Sequence, residues 1–172
     1  LVRIRNPHIV TEVPGVRLPD AKEQAPARVS VSVELENTGN EKVDGVLNFV
    51  LDGKKVAIQV RLLAHEAKEV RLPELKLQHP RLWWPNGYGP QEMYRMNMRF
   101  EHSDSLSLDF GVREITTTWN TTTRSRQAWV NGQPIFLKGG NWIVSDELLR
   151  LSPERYDAEV RFHRDMNLNL IR

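Results

Sequence analysis

The strongest constraint on this chain is alternation. From about residue 27 to residue 115, apolar and polar side chains change places at every second position, in one run after another. In Val29-Ser-Val-Ser-Val-Glu-Leu-Glu, one side carries Val29, Val31, Val33 and Leu35, and the other Ser30, Ser32, Glu34 and Glu36. Successive side chains of a strand point to opposite faces, so this run is a strand with one face on a core and one in water. Val2 to Val13 reads as a strand ahead of it, and Asn37-Thr38-Gly39-Asn40 as a turn after it. Val43 to Leu51 follows, then Asp52-Gly53, a strong hairpin signal, and a return strand with Val56, Ile58, Val60 and Leu62 on one face. Glu69 to Leu72, Glu92 to Phe100 and Leu106 to Thr117 complete the set. In Glu92–Phe100, Tyr94, Met96, Met98 and Phe100 point inward. About seven short strands with no helical period between them predict an antiparallel β-sandwich of immunoglobulin type.

The pattern changes near Trp119. Thr116-Thr-Thr and Thr121-Thr-Thr-Arg-Ser read as a polar linker. Gln127-Ala-Trp-Val and Gln133-Pro-Ile-Phe-Leu then form a hairpin around Asn131-Gly132, a type I′ pair. The glycines Gly139 and Gly140 read as turn residues. A helix is predicted to start at Ser152, a good N-cap, with Pro153 in the first helical position and Glu154 at its positive end. Tyr156, Val160, Phe162 and Met166 share one broad face of it. Leu168 to Ile171 reads as a fully buried strand, so the tail predicts a βαβ unit and a parallel sheet. The expected organisation is a sandwich over residues 1–118 and the opening of an α/β domain over 119–172. Both ends, Leu1 before an immediate strand and Arg172 after a strand barely begun, read as cuts in a longer chain.

Composition removes several function classes. Lys and Arg number 24 against 22 Asp and Glu, and the small net charge of +2 is scattered, which gives a nucleic-acid partner little electrostatic support. No apolar run reaches the roughly 18 residues of a membrane span. Cys is absent, which excludes disulfides, thiolate metal sites and cysteine nucleophiles. The five His show no metal-ligand spacing, and no phosphate-binding or Ser-nucleophile motif occurs, so no metal or cofactor is expected. His102-Ser103-Asp104 reads as a solvated turn. The pair Trp83-Trp84 could form a sugar-stacking surface, but core or interdomain packing is the favoured reading. Asn120-Thr121-Thr122 is a glycosylation sequon and marks an exposed segment at most.

Three segments carry a resemblance. Leu82-Trp-Trp-Pro-Asn-Gly-Tyr-Gly-Pro-Gln-Glu-Met-Tyr94 resembles the end of the immunoglobulin-like domain of glycoside hydrolase family 2, and Phe110-Gly-Val-Arg-Glu-Ile115 its last strand. Asn131-Gly-Gln-Pro-Ile-Phe-Leu-Lys-Gly-Gly-Asn-Trp-Ile143, with Asp146 and Asn167-Leu-Asn-Leu-Ile-Arg172, resembles the start of that family's (β/α)8 barrel. Within the family the runs look most like β-mannosidases, with exo-β-glucosaminidases the close competitor. Val144 departs from the Pro usual after Asn-Trp-Ile.

The resemblance implies a retaining exo-glycosidase, most of all a β-mannosidase, acting on terminal β-linked sugars through two carboxyl groups about 5 Å apart. In the family both are Glu on later barrel strands, and a barrel needs ~200 residues or more, so no catalytic residue is assigned here. Asp146-Glu147 is not promoted to that role. The resemblance does assign a sugar-subsite rim to Asn141, Trp142, Asp146 and Arg172, with Arg172 ordering the catalytic carboxylates. The expected partners are a β-linked oligosaccharide or glycoside, the remaining domains of the same polypeptide, and a second copy of the chain through exposed tail surface. No nucleic acid or membrane is expected. A periplasmic, extracellular or lysosomal setting is favoured over a cytoplasmic one. A free-standing carbohydrate-binding sandwich is the alternative of another class.

Overall fold

The computed structural model describes residues 1–172. Eight strands build two packed sheets. They are β1 (Val2–Glu12), β2 (Ala27–Asn37), β3 (Val43–Leu51), β4 (Lys54–Leu62), β5 (Ala67–Arg71), β6 (Leu75–Leu77), β7 (Tyr94–Phe100) and β8 (Asp104–Phe110). One sheet runs β1-β2-β5 with β6 also on β2, and the other β4-β3-β7-β8, all antiparallel. Asp52 and Gly53 sit at φ 48° and 74°, the left-handed pair that a two-residue hairpin requires. The mainly β sandwich expected from the alternation is therefore the observed fold.

The alternation works as the pleat demands. Val29, Val31, Val33 and Leu35 of β2 are buried against Leu47, Phe49, Leu51, Met96, Met98 and Phe100 of the facing sheet. Each such side chain contributes about 1.5–3 kcal/mol by leaving water. Val60 and Tyr94 are buried too, while Ile58 is only half-buried at the core's margin. Trp84 is among the largest fully buried side chains.

The free edge of β1, and Val13 just after it, are held by side chains from the β7–β8 turn, the start of β8 and the segment that follows β8. Val2 N–H donates to Ser103 Oγ (2.7 Å), Ile4 N–H to Asp104 Oδ2 (2.8 Å) and Val13 N–H to Glu114 Oε2 (2.7 Å). The His102–Asp104 turn is thus a clamp on β1 rather than a merely solvated turn. Between the clamps β1 carries a bulge at Arg5–His8, with Asn6 at φ 47°.

Several sequence expectations need correction past Phe110. The strand expected over Leu106–Thr117 is two: β8 ends at Phe110, and β9 (Ile115–Asn120) opens a different sheet. Of the threonines read as linker, Thr116–Thr118 lie in β9 and Thr121–Thr123 form the turn after it; β9 pairs with β10 (Ser125–Val130), itself paired with β11 (Gln133–Ile135). Gly139 and Gly140 are not turn residues; they form β12 and pair in parallel with β13 (Leu170–Ile171). Between them stands α1 (Pro153–Asp165), capped by Ser152 Oγ, which accepts from Arg155 N–H (3.3 Å). The strand–helix–strand unit is present, but Leu170 and Ile171 are exposed, because β12 alone lies beside them. Tyr156, Val160 and Phe162 of α1 and its C-cap Met166 are exposed as well, and Phe136 and Ile143 reach 74% and 85% exposure.

Asn131 joins the two parts. It is fully buried, exchanges bonds with both backbone groups of Glu114, and donates from Nδ2 to the Trp83 carbonyl (3.0 Å). Its carbonyl accepts from Arg17 N–H (2.9 Å), which ties in the Pro14–Pro26 crossing segment.

Candidate functional site

The parallel pair β12–β13 brings three of the four expected rim residues to one place. Arg172 N–H donates to the Gly140 carbonyl (3.1 Å), and Trp142 N–H to the Arg172 carbonyl (2.8 Å). Asn141, Trp142 and Arg172 therefore share the C-terminal end of two adjacent parallel strands. The side chains of Asn141 and Arg172 are exposed there.

Trp142 turns toward α1. Its indole N–H donates to Glu159 Oε2 (2.5 Å), and its ring meets Tyr156 edge-on at 5.2 Å between centroids. Glu159 also accepts from the Ser145 hydroxyl and from Arg155 Nε (3.3 Å). These donors, Ser145 first and then Trp142, hold the Glu159 carboxyl below the usual carboxylate range, against the pull of desolvation. Arg155 and Glu159 lie one turn apart on α1, so the helix period places both toward Trp142. Glu159 was not singled out from the sequence; the one available signal was a carboxylate paired at i, i+4 with Arg155 on the expected helix.

Asp146 stands apart from this group. Its Oδ1 accepts from Leu148 N–H (2.8 Å) and its Oδ2 pairs with Arg150 Nε (3.1 Å), so it caps the turn leading toward α1. The structure places it in the loop after β12, as a loop-ordering carboxylate.

A cleft of about 670 Å³ opens beside the strands, bounded by Trp142, Ser145, Glu154, Arg155, Glu159 and His163. Asn141, Asp146 and Arg172 do not line it. Its two carboxyls are both held low, Glu154 by the Ser152 hydroxyl and its own backbone N–H, Glu159 as above. Both stay ionised near neutrality, so neither suits the task of protonating a leaving oxygen.

The tryptophan pair splits across the strand as successive side chains must. Trp84 is core, and Trp83 lies half-buried beneath the Arg113 guanidinium (4.3 Å to the ring centroid). That contact packs Trp83 against the chain's own Arg113. Asn120, in the sequon, folds its Oδ1 back onto the N–H groups of Thr122 and Thr123 at an exposed hairpin tip.

The profile of the glycosyl hydrolases family 2 matches residues 2–113. The mannosylglycoprotein endo-beta-mannosidase of Lilium longiflorum is 40% identical over 157 residues, covering 82% of this chain and 16% of the lily protein. The exo-beta-D-glucosaminidase of Streptomyces avermitilis is 29% identical over 180 residues, covering 99% of this chain and 19% of that protein. Among solved structures, the exo-chitosanase of Amycolatopsis orientalis superposes with a TM-score of 0.85 at 26% identity, over 99% of this chain and 19% of the other. The chain spans less than a fifth of the length of each of these relatives.

Proposed function

Because the chain belongs to the glycosyl hydrolases family 2, we propose that it is the sandwich and the opening βαβ unit of a longer retaining glycosidase that cleaves β-mannosidic bonds. The observation that carries the choice of sugar is the 40% identity with the lily endo-beta-mannosidase. In this proposal residues 1–118 act as an interdomain scaffold and residues 119–172 begin a (β/α)8 barrel.

Barrel enzymes of that kind work at the C-terminal ends of their strands. Asn141 and Arg172 occupy those ends of β12 and β13, and their exposed side chains are free to meet a sugar hydroxyl or a catalytic carboxylate. Trp142, braced by Glu159 and Tyr156, forms a fixed wall beside them. Asp146 orders the loop that follows β12. Retaining hydrolysis needs one ionised and one protonated carboxyl about 5–5.5 Å apart. In this reading the catalytic pair is supplied by later barrel strands, and the chain alone is inactive.

The test assays the longer protein and this chain in parallel on aryl β-mannoside, β-glucosaminide and β-galactoside, and on an oligosaccharide with an internal β-mannosidic bond. The proposal expects β-mannoside cleavage by the longer protein only, the last substrate separating exo from endo action. Turnover by the chain itself would show the active site misplaced. Activity confined to the glucosaminide would support a second reading, exo-β-glucosaminidase, which the likeness to the Amycolatopsis enzyme favours.

A further inference from the structure

The loop Trp83–Gly89 grips the βαβ unit at two points. The Tyr88 hydroxyl accepts from Phe136 N–H (2.9 Å), just upstream of β12. Asn86 Nδ2 donates to the carbonyls of Leu168 (3.1 Å), just upstream of β13, and of Arg164 (2.9 Å), in the last turn of α1. Asn169 ties the two strand entries together: its Oδ1 accepts from Lys138 N–H (2.8 Å) and its Nδ2 donates to the Phe136 carbonyl (3.0 Å). From there the ladder runs forward through Leu170 N–H to Lys138 O, Arg172 N–H to Gly140 O, and Trp142 N–H to Arg172 O.

Packing gives this unit little help. Helix α1 buries none of its residues, and β12 and β13 each contribute two residues to their sheet. A two-stranded pair that short has marginal stability alone. The directed bonds at its base are therefore what fixes its stagger and splay. Sandwich core holds the other end of the lever, since the loop is rooted on buried Trp84.

We infer that Asn86, with Tyr88 beside it, is a positioning residue that sets the relative placement of the two strand ends carrying Asn141 and Arg172. The catalytic part of this inference rests on the glycosidase reading; the geometric part does not. It also gives the Trp-Trp-Pro-Asn-Gly-Tyr-Gly run a role distinct from sugar stacking.

The geometric test uses the 172-residue chain, isotope-labelled, with amide exchange followed residue by residue. Asn86→Asp keeps the shape but loses the N–H donors, Asn86→Ala loses both, and Tyr88→Phe loses only the acceptor. Both Asn86 variants should exchange the amides of Leu170, Trp142 and Arg172 at least tenfold faster, with Phe49 and Met98 amides unchanged. Tyr88→Phe should speed exchange at Phe136. Wild-type exchange in Asn86→Asp, or a uniform rise through the sandwich, would overturn the inference. In the longer protein, Asn86→Asp should lower kcat at least tenfold with KM within twofold. An unchanged kcat would overturn the catalytic part. A longer protein inactive on every β-glycoside would sink the functional reading, while the exchange result would still decide the geometry.

Discussion

Gly132 turns directly beneath the carbonyl of Gly15: a methyl group on Gly132 would lie 2.5 Å from that oxygen. The turn also holds Gly132 at φ 77°, a conformation that L side chains rarely adopt. Gly132→Ala should therefore cost roughly 2–4 kcal/mol, backbone strain adding to overlap with a main-chain atom that cannot rotate away. Urea unfolding of the variant measures it, and a loss under ~0.5 kcal/mol would show that the crossing segment simply yields.

Asn37 is fully buried, yet its Nδ2 donates to the Glu41 (2.7 Å) and Leu63 (2.8 Å) carbonyls, and its Oδ1 accepts from Gly39 N–H (3.0 Å). Asn37→Ala leaves three backbone groups without that partner. A loss of about 2–4 kcal/mol is expected, at roughly 1 kcal/mol or more for each group. Denaturant titration checks it.

The Glu159 carboxyl is held low by Ser145, Trp142 and Arg155, so its folded value lies below its unfolded one. Its stabilising contribution is then fully present above the ordinary glutamate value of about 4.3 and is lost as pH falls through the lowered folded value. The Trp142 indole N–H resonance should stay fixed from neutrality down to about pH 5 and move below it. Glu159→Gln should abolish that movement.

Ile143 and Phe162 are exposed apolar side chains that border one cleft on the tail. Contiguous surface of that kind drives association. The isolated chain should sediment faster as its concentration rises, and Ile143→Ser combined with Phe162→Ser should suppress the effect. A concentration-independent monomer is the opposing result.

In the longer protein, Arg172→Ala should lower kcat/KM by roughly a hundredfold, the scale set by misplacing reacting groups by about an ångström. Arg172 is exposed in this chain, so the sandwich's melting temperature should not move. A parallel fall in both would reassign Arg172 to stability.

Alternation was readable wherever one face of a strand meets the core, as in β2, β3 and β7. It did not separate β9 from the strand before it: the first five residues of β9 are exposed on both faces, so Thr116–Thr118 carried no period to mark a new strand. Gly139 and Gly140 have no side chains to alternate, and their strand is defined by pairing with residues far along the chain. The capped start of α1 was legible because its signals are local. The links of Trp142 to Glu159 and of Asn86 to Leu168 were not, because each joins distant positions through one side chain and leaves no trace in spacing.

The clamping of β1 bears on how the molecule behaves in a crowd. An uncovered edge strand is a template on which further chains can add, growing toward fibrils. Here the amides of Val2, Ile4 and Val13 already donate inward, Pro7 has none to offer, and the bulge bends the middle of the edge. Clustering driven by the tail should therefore involve no strand-by-strand growth from this rim of the sandwich.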